Sequence, residues 1–108
     1  MKSFLKPVKM NRVIVMRIVG IEIQLFIYET YSLKEKRSVL RSILDKVRHK
    51  FYVAGAEVGN FDQLNTTCIG FAAVSNEKKQ AEKVLQKVIQ LIDGRFDCEI
   101  LTIDWIFN

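Results

Sequence analysis

Alternating apolar and polar residues form the first clear pattern in the chain. From Arg17 to Tyr28 every second residue is a large aliphatic one, namely Val19, Ile21, Ile23, Leu25 and Ile27. Because successive side chains of a strand point to opposite faces, this pattern predicts a β-strand with one buried face. The other face mixes Glu22 and Gln24 with Phe26, so we expect it to be only partly covered.

A helical period follows, from Ser32 to Lys50. Its aliphatic residues recur every three or four positions and share one side of a helix; they are Leu33, Leu40, Ile43, Leu44 and Val47. Ser32 and Glu35 have the spacing of a capping box, in which the Ser32 hydroxyl accepts the Glu35 N–H and the Glu35 carboxylate accepts the Ser32 N–H. We therefore predict a helix that begins at Ser32 and ends at Lys50.

Three further strands and one further helix complete the pattern. The strands are predicted over Phe51–Val58, Thr67–Val74 and Phe96–Phe107, with a hairpin loop over 59–66 between the first two. The second helix is predicted to start at a cap formed by Ser75 and Asn76 and to end at Gly94. Its buried stripe is predicted to contain Ala81, Val84, Leu85, Val88, Ile89 and Ile92.

The element order βαββαβ predicts an α+β, ferredoxin-like sandwich, in which two helices cover one face of a four-stranded antiparallel sheet. Right-handed crossovers give the spatial strand order 4-1-3-2. This order separates Cys68 from Cys98 by two strand spacings, about 9–10 Å. A disulfide needs Cα atoms within about 7 Å, so we predict two free thiols.

Charge is distributed unevenly along the 108 residues, whose formal net charge is +5. Residues 1–12 contain Lys2, Lys6, Lys9 and Arg12 and no acidic residue, and we predict a flexible basic extension there. A single domain is predicted over residues 13–108. Within it, basic residues concentrate between Lys34 and Lys50, which predicts a positive face.

The apolar run from Val13 to Ile27 does not have the pattern of a membrane span. Arg17, Glu22 and Gln24 interrupt it, and it is shorter than the roughly 20 residues that a spanning helix needs. The two cysteines lie in apolar strand segments and lack the spacing of a zinc site. We therefore expect a cytoplasmic protein with reduced thiols, no metal site and no membrane contact.

Basic residues on the first helix are the strongest candidates for a functional surface. Arginine and lysine side chains bind phosphate oxygens, and arginine can do so with two hydrogen bonds. The candidate nucleic-acid-binding residues are Lys34, Lys36, Arg37, Arg41, Arg48 and Lys50. The alternative is a solvated helix face with local ion pairs, such as one between Arg41 and Asp45.

Catalytic chemistry has weak support in the sequence. Ser32 and Ser38 have no placed base, and the single histidine, His49, is expected at the surface in the last turn of the helix. Glu57 and Asp62 near the hairpin loop are not placed in a cleft by any pattern. No glycine-rich phosphate loop is present. We therefore expect a non-enzymatic protein that needs no cofactor.

The aromatic residues Phe26, Phe71 and Trp105 lie on predicted strands. RNA-binding ferredoxin-like sheets stack bases on exposed aromatic rings, with basic residues nearby. The segment Gly70-Phe71-Ala72 lacks that accompanying basic-aromatic pattern. We therefore expect these rings to serve the core or a protein interface rather than base stacking.

Three motifs resemble the YlxP-like family of small bacterial proteins of unassigned function. They are Ser32-Leu33-Lys34-Glu35-Lys36-Arg37-Ser38-Val39-Leu40, Ala56-Glu57-Val58 and Gly70-Phe71-Ala72-Ala73-Val74-Ser75-Asn76, and the resemblance runs from Val19 to Ile103. It implies a ferredoxin-like fold. Because genes of this family often lie among those for translation and ribosome maturation, it also implies a role near RNA. Leu64 stands where the family tends to have an aromatic residue, so the resemblance implies no stacking ring there.

Two functions remain open from the sequence. The first is an RNA- or ribosome-associated binding protein that uses the basic first helix, with structured RNA or a ribosomal subunit as its partner. The second is an interaction module that forms a homo-oligomer, or docks on another protein, through the face of the sheet that the helices leave open. Binding through phosphates should weaken steeply with salt, whereas apolar docking should not.

Overall fold

A computed structural model describes residues 15–107, in the predicted βαββαβ order. The elements are β1 (Arg17–Ile27), α1 (Leu33–Lys50), β2 (Ala54–Gly59), β3 (Thr66–Ser75), α2 (Lys78–Asp93) and β4 (Cys98–Phe107). All strand pairs are antiparallel and the spatial order is β2-β3-β1-β4. These findings confirm the ferredoxin-like fold and the predicted strand order. The predicted extension over residues 1–12 lies outside the described residues.

The core lies between the two helices and one face of the sheet. The alternating aliphatic residues of β1 are all buried, as their period predicted. They meet buried residues of α1, of α2 and of β3; among these are Leu40, Ile43, Val47, Ile69, Phe71, Ala81, Leu85, Val88 and Ile92. Gly55 of β2 allows this packing, because a Cβ atom there would lie 2.6 Å from the Phe71 ring. Among residues 15–107, no element covers the opposite face of the sheet.

Two strands begin later than their apolar pattern predicted. β2 begins at Ala54, because the Phe51 N–H bonds the Val47 carbonyl at the end of α1, and pairing with β3 starts only at Ala54. β4 begins at Cys98, because residues 95–97 form a connection. In the first connection Phe51 still packs on the core, whereas Phe96 in the second is exposed. Burial alone therefore does not mark the ends of a strand.

Both helix starts differ in detail from the predicted caps. The Ser32 hydroxyl accepts the Glu35 N–H at 3.1 Å as predicted, but the Glu35 carboxylate accepts the Tyr31 N–H rather than that of Ser32. At α2 the N-cap residue is Glu77, whose side chain makes no capping bond. The Ser75 hydroxyl instead accepts the Glu77 N–H. The predicted cap of α2 is thus a turn that precedes the helix.

The two thiols are free, as the strand order predicted, since β1 lies between the strands that carry them. Neither helix among the described residues is long and apolar enough to cross a membrane.

Candidate nucleic-acid interface

Three cations form a row along the exposed side of α1. Lys34, Arg37 and Arg41 are all exposed, and they follow one another at the three- and four-residue spacing that aligns side chains on one helix face. With a rise of about 1.5 Å per residue, the row extends over roughly 10 Å. Within residues 15–107, no hydrogen bond or ion pair occupies these three side chains. Their charges are therefore available to an external anion.

Arg48 lies on the same flank but has partners within the protein. Its guanidinium donates to the Gly55 carbonyl of the edge strand β2 at 2.6 Å and lies 3.9 Å from the Asp45 carboxylate. The alternative pair between Arg41 and Asp45 is thus not formed. Arg48 can reach an external phosphate only by sharing or leaving these contacts. Its contribution to the candidate interface is therefore smaller than that of Arg41.

Lys36 has to be removed from the candidate set. Its side chain is only 1% exposed, and its ammonium nitrogen lies 2.5 Å from the Asn60 carbonyl oxygen and 3.1 Å from Glu57 Oε2. Glu57 in turn accepts the Thr67 hydroxyl at 2.7 Å. Lys36 is buried because it lies on the same side of α1 as Leu40 and Ile43 and so points toward the sheet.

Lys50 is exposed at the end of α1, where it borders a shallow groove between the helices. Lys87 of α2 lines the same groove, with Phe51 and Leu91. Lys87 was not among the predicted site residues. The four-residue spacing of Lys79, Lys83 and Lys87 marks them as one exposed stripe, but only the packing of the two helices places Lys87 beside Lys50.

The open face of the sheet has the opposite character. Glu22 of β1 and Asp104 of β4 are paired residues there, and both are exposed. Apolar side chains of this face are also exposed, namely Ile18, Val58, Val74 and Ile106. Phe26 is half-buried and packs edge-on against Tyr28, whose hydroxyl donates to Glu99. This face therefore combines apolar and acidic groups.

The other residues considered in the sequence analysis either have structural roles or lie exposed on the surface. Ser32 is the cap of α1, and Glu57 is held by Lys36 and Thr67. Phe71 is buried in the core, whereas His49 and Asp62 are exposed. Within the described part of the chain, no three His, Cys, Asp or Glu side chains gather in a way that could hold a metal ion.

Comparisons with known proteins place the chain in a family. The family model described as "Protein of unknown function (DUF503)" matches residues 18–105. The "Uncharacterized protein YlxP" of Bacillus subtilis (strain 168) is 47% identical over 73 residues, which cover 68% of this chain and 79% of that protein. Among solved structures, the "De novo designed protein Ferredog-Diesel" matches with a TM-score of 0.42 and 10% identity over 96% of each chain. The chain therefore belongs to the DUF503 family of proteins of unknown function.

Proposed function

We propose that this protein is a non-enzymatic, cytoplasmic RNA- or ribosome-associated binding protein whose phosphate-binding surface is the row Lys34, Arg37 and Arg41. The observation that carries the proposal is the separation of charge between the two layers. Most cations of the described residues lie on the helices, whereas the open sheet face displays Glu22 and Asp104. A phosphate backbone would be attracted to the helical layer and repelled by the sheet.

The chemistry of the row suits phosphate contacts. Arg37 and Arg41 can each donate two parallel hydrogen bonds to one phosphate, while Lys34 contributes a compact positive charge. Neither arginine has to break a contact with another residue of the 15–107 range before it binds. Such contacts position a nucleic acid without reading its bases, so we expect binding with little sequence preference.

A salt series with two matched double variants tests the proposal. Binding of the protein to structured RNA and to ribosomal subunits is measured between low and moderate salt. Arg37→Gln/Arg41→Gln removes two charges from the row, and Arg17→Gln/Lys79→Gln removes two exposed charges elsewhere. If both arginines contact phosphates, the slope of log K against log salt becomes shallower by about 1.4 to 1.8 for the first variant. For the control variant Arg17→Gln/Lys79→Gln, the slope should stay closer to the wild-type value.

Two results would contradict the proposal. One is wild-type binding that is absent or does not depend on salt. The other is an equal loss in both variants, which would show that net charge alone, and not the row on α1, determines binding. A truncation that removes residues 1–12 completes the set, because these basic residues can bind RNA independently of α1.

The open sheet face favours a second candidate, an interaction module that assembles with a second copy. Ile18, Val58, Val74 and Ile106 expose apolar surface on this face, and burial of such a patch is a usual driving force for association. Light scattering at micromolar concentration should then give a dimer or larger oligomer. Ile106→Glu should return it to a monomer, while Phe61→Glu, an exposed loop variant, should not. A monomeric wild type would exclude this candidate.

A further inference from the structure

We propose that the recess between the end of α1 and the start of α2 holds one unstacked base of a single-stranded RNA segment, with the adjoining phosphates on Lys50 and Lys87. This inference rests on the proposed function and adds the class of RNA to it. Two neighbouring cavities meet at this place and share Lys50 and Phe51. One cavity has the character of a base site and the other that of a phosphate site.

The first cavity is apolar at its floor and small. Ala73 and Ala81, both buried, line it together with the partly buried Val84. Its volume is about 290 Å³, just below the roughly 300–1,000 Å³ typical of small-molecule sites. This size suits one planar base rather than a whole nucleotide. The small side chains of Ala73 and Ala81 leave the space open between β3 and α2.

Tyr52 and Gln80 give this cavity the groups that recognise a base. Tyr52 lines the cavity and its side chain is fully exposed, so one face of a base can stack on its ring. The Gln80 side chain lines the same cavity and is also exposed, and its amide offers both a donor and an acceptor to a base edge. No hydrogen bond in the described part of the chain occupies that amide.

The second cavity is lined by positively charged side chains. Lys50 and Lys87 line it from the two helices, and Gln90 adds a polar group. A base attached to a phosphate backbone matches this combination of an apolar, aromatic recess beside two ammonium groups. The chain's own residues 1–12 match it poorly, because their lysines and arginine would be repelled by Lys50 and Lys87. Charge therefore favours an anionic occupant.

The test compares three probes of equal length: a single-stranded RNA, the same RNA in a duplex, and a single strand whose central nucleotides are abasic. Tyr52→Ala should weaken binding of the single strand by about 10-fold, which is within the range for loss of one stacked base. Binding of the duplex and of the abasic strand should be unchanged by this variant. Because the ring carries no charge, the salt dependence should stay as in wild type.

Matched controls separate the recess from general aromatic and charge effects. Tyr31→Ala removes another exposed tyrosine, which precedes α1 and is thus some 27 Å from its other end; it should keep wild-type affinity. Lys50→Gln/Lys87→Gln should weaken all three probes and lower the salt slope.

Distinct outcomes overturn the inference and the proposed function. If Tyr52→Ala and Tyr31→Ala bind the single strand equally, or if wild type binds abasic and intact strands equally, the recess does not hold a base, although salt-dependent binding to α1 can still stand. If no probe binds in a salt-dependent way, the proposed function fails as well. Binding of an acidic peptide with an aromatic side chain in place of RNA would also overturn the inference.

Discussion

At the scale of single residues, Lys36 shows how neighbours in one motif take different roles. Lys34, Lys36 and Arg37 lie within four positions, yet Lys34 and Arg37 are exposed and Lys36 is buried. The difference follows from the helical period, because a two-residue step turns the side chain to another side of the helix. The buried ammonium joins α1 to Glu57 of β2 and to Asn60 in the loop between β2 and β3.

We expect Lys36→Met to lower the free energy of unfolding by about 3 kcal/mol, because it leaves the Glu57 carboxylate without its cation in a largely buried place. Urea unfolding measures the change. Lys34→Met is the matched control and should shift stability by less than about 0.5 kcal/mol. Lys36→Met combined with Glu57→Leu should recover part of the loss. Equal effects of the two single lysine variants would show that the buried pair does not stabilise the fold.

At the scale of elements, local hydrogen bonds determine where helices begin and connections turn. The Ser32 hydroxyl satisfies one free N–H of the first turn of α1, and Glu35 fixes the chain before it through the Tyr31 N–H. At the same end of the sheet, where the Tyr28 N–H bonds the Asp97 carbonyl, Arg95 donates to both carboxylate oxygens of Asp97 at 2.9 and 2.7 Å. This pair holds the connection from α2 to β4.

Replacement of the cap tests the start of α1. Ser32→Ala removes the hydroxyl that accepts the Glu35 N–H, and we expect a loss of about 1 kcal/mol in the free energy of unfolding. Ser38→Ala serves as the control, because Ser38 is exposed on the same helix and makes no hydrogen bond in the described part of the chain. Thermal and urea unfolding should agree on the order of the variants. If both serine variants behave alike, the cap is not what stabilises this end.

Acid should weaken the pair of Arg95 and Asp97 in the connection between α2 and β4. The hydrogen bonds from Arg95 hold the pKa of Asp97 below its usual value, although partial burial opposes them. Because the folded pKa is the lower one, this contribution is present above the unfolded value of about 3.9 and is lost as pH falls through the folded value. Asp97→Asn should therefore make stability less sensitive to pH below about 4. The same sensitivity to pH in Asp97→Asn and in wild type would contradict this role of the pair.

At the scale of the whole molecule, sheet order determines which groups can meet. Antiparallel pairing places β1 between β3 and β4, so Cys68 and Cys98 lie on strands that are not neighbours. The same order puts Glu22 beside Asp104 on the open face, while both helices cover the other face. Cations of the helices and anions of the sheet thus end on opposite sides of the protein.

The reactivity of the two thiols tests this strand order. We expect both cysteines to be alkylated without prior reduction, and the unfolding midpoint to be the same with and without reductant. Partial burial raises the pKa of both thiols, so alkylation of the native protein should be slow at neutral pH. Cys68 should react faster than Cys98, which is buried at the start of β4. A mass that shows an intact disulfide would contradict the strand order.

Local periodicity in the sequence determined the elements, the buried face of β1, the stripes of both helices and the fold, because strand and helix periods can be recognised from neighbouring residues. Lys34, Arg37 and Arg41 are three of the six binding residues that were predicted on α1. Only the tertiary structure decided that Lys36 is buried against Glu57, that Arg48 bonds Gly55, and that Lys87 joins Lys50 beside the recess at Tyr52. These contacts join residues from different elements, and their distances depend on how the helices pack on the sheet.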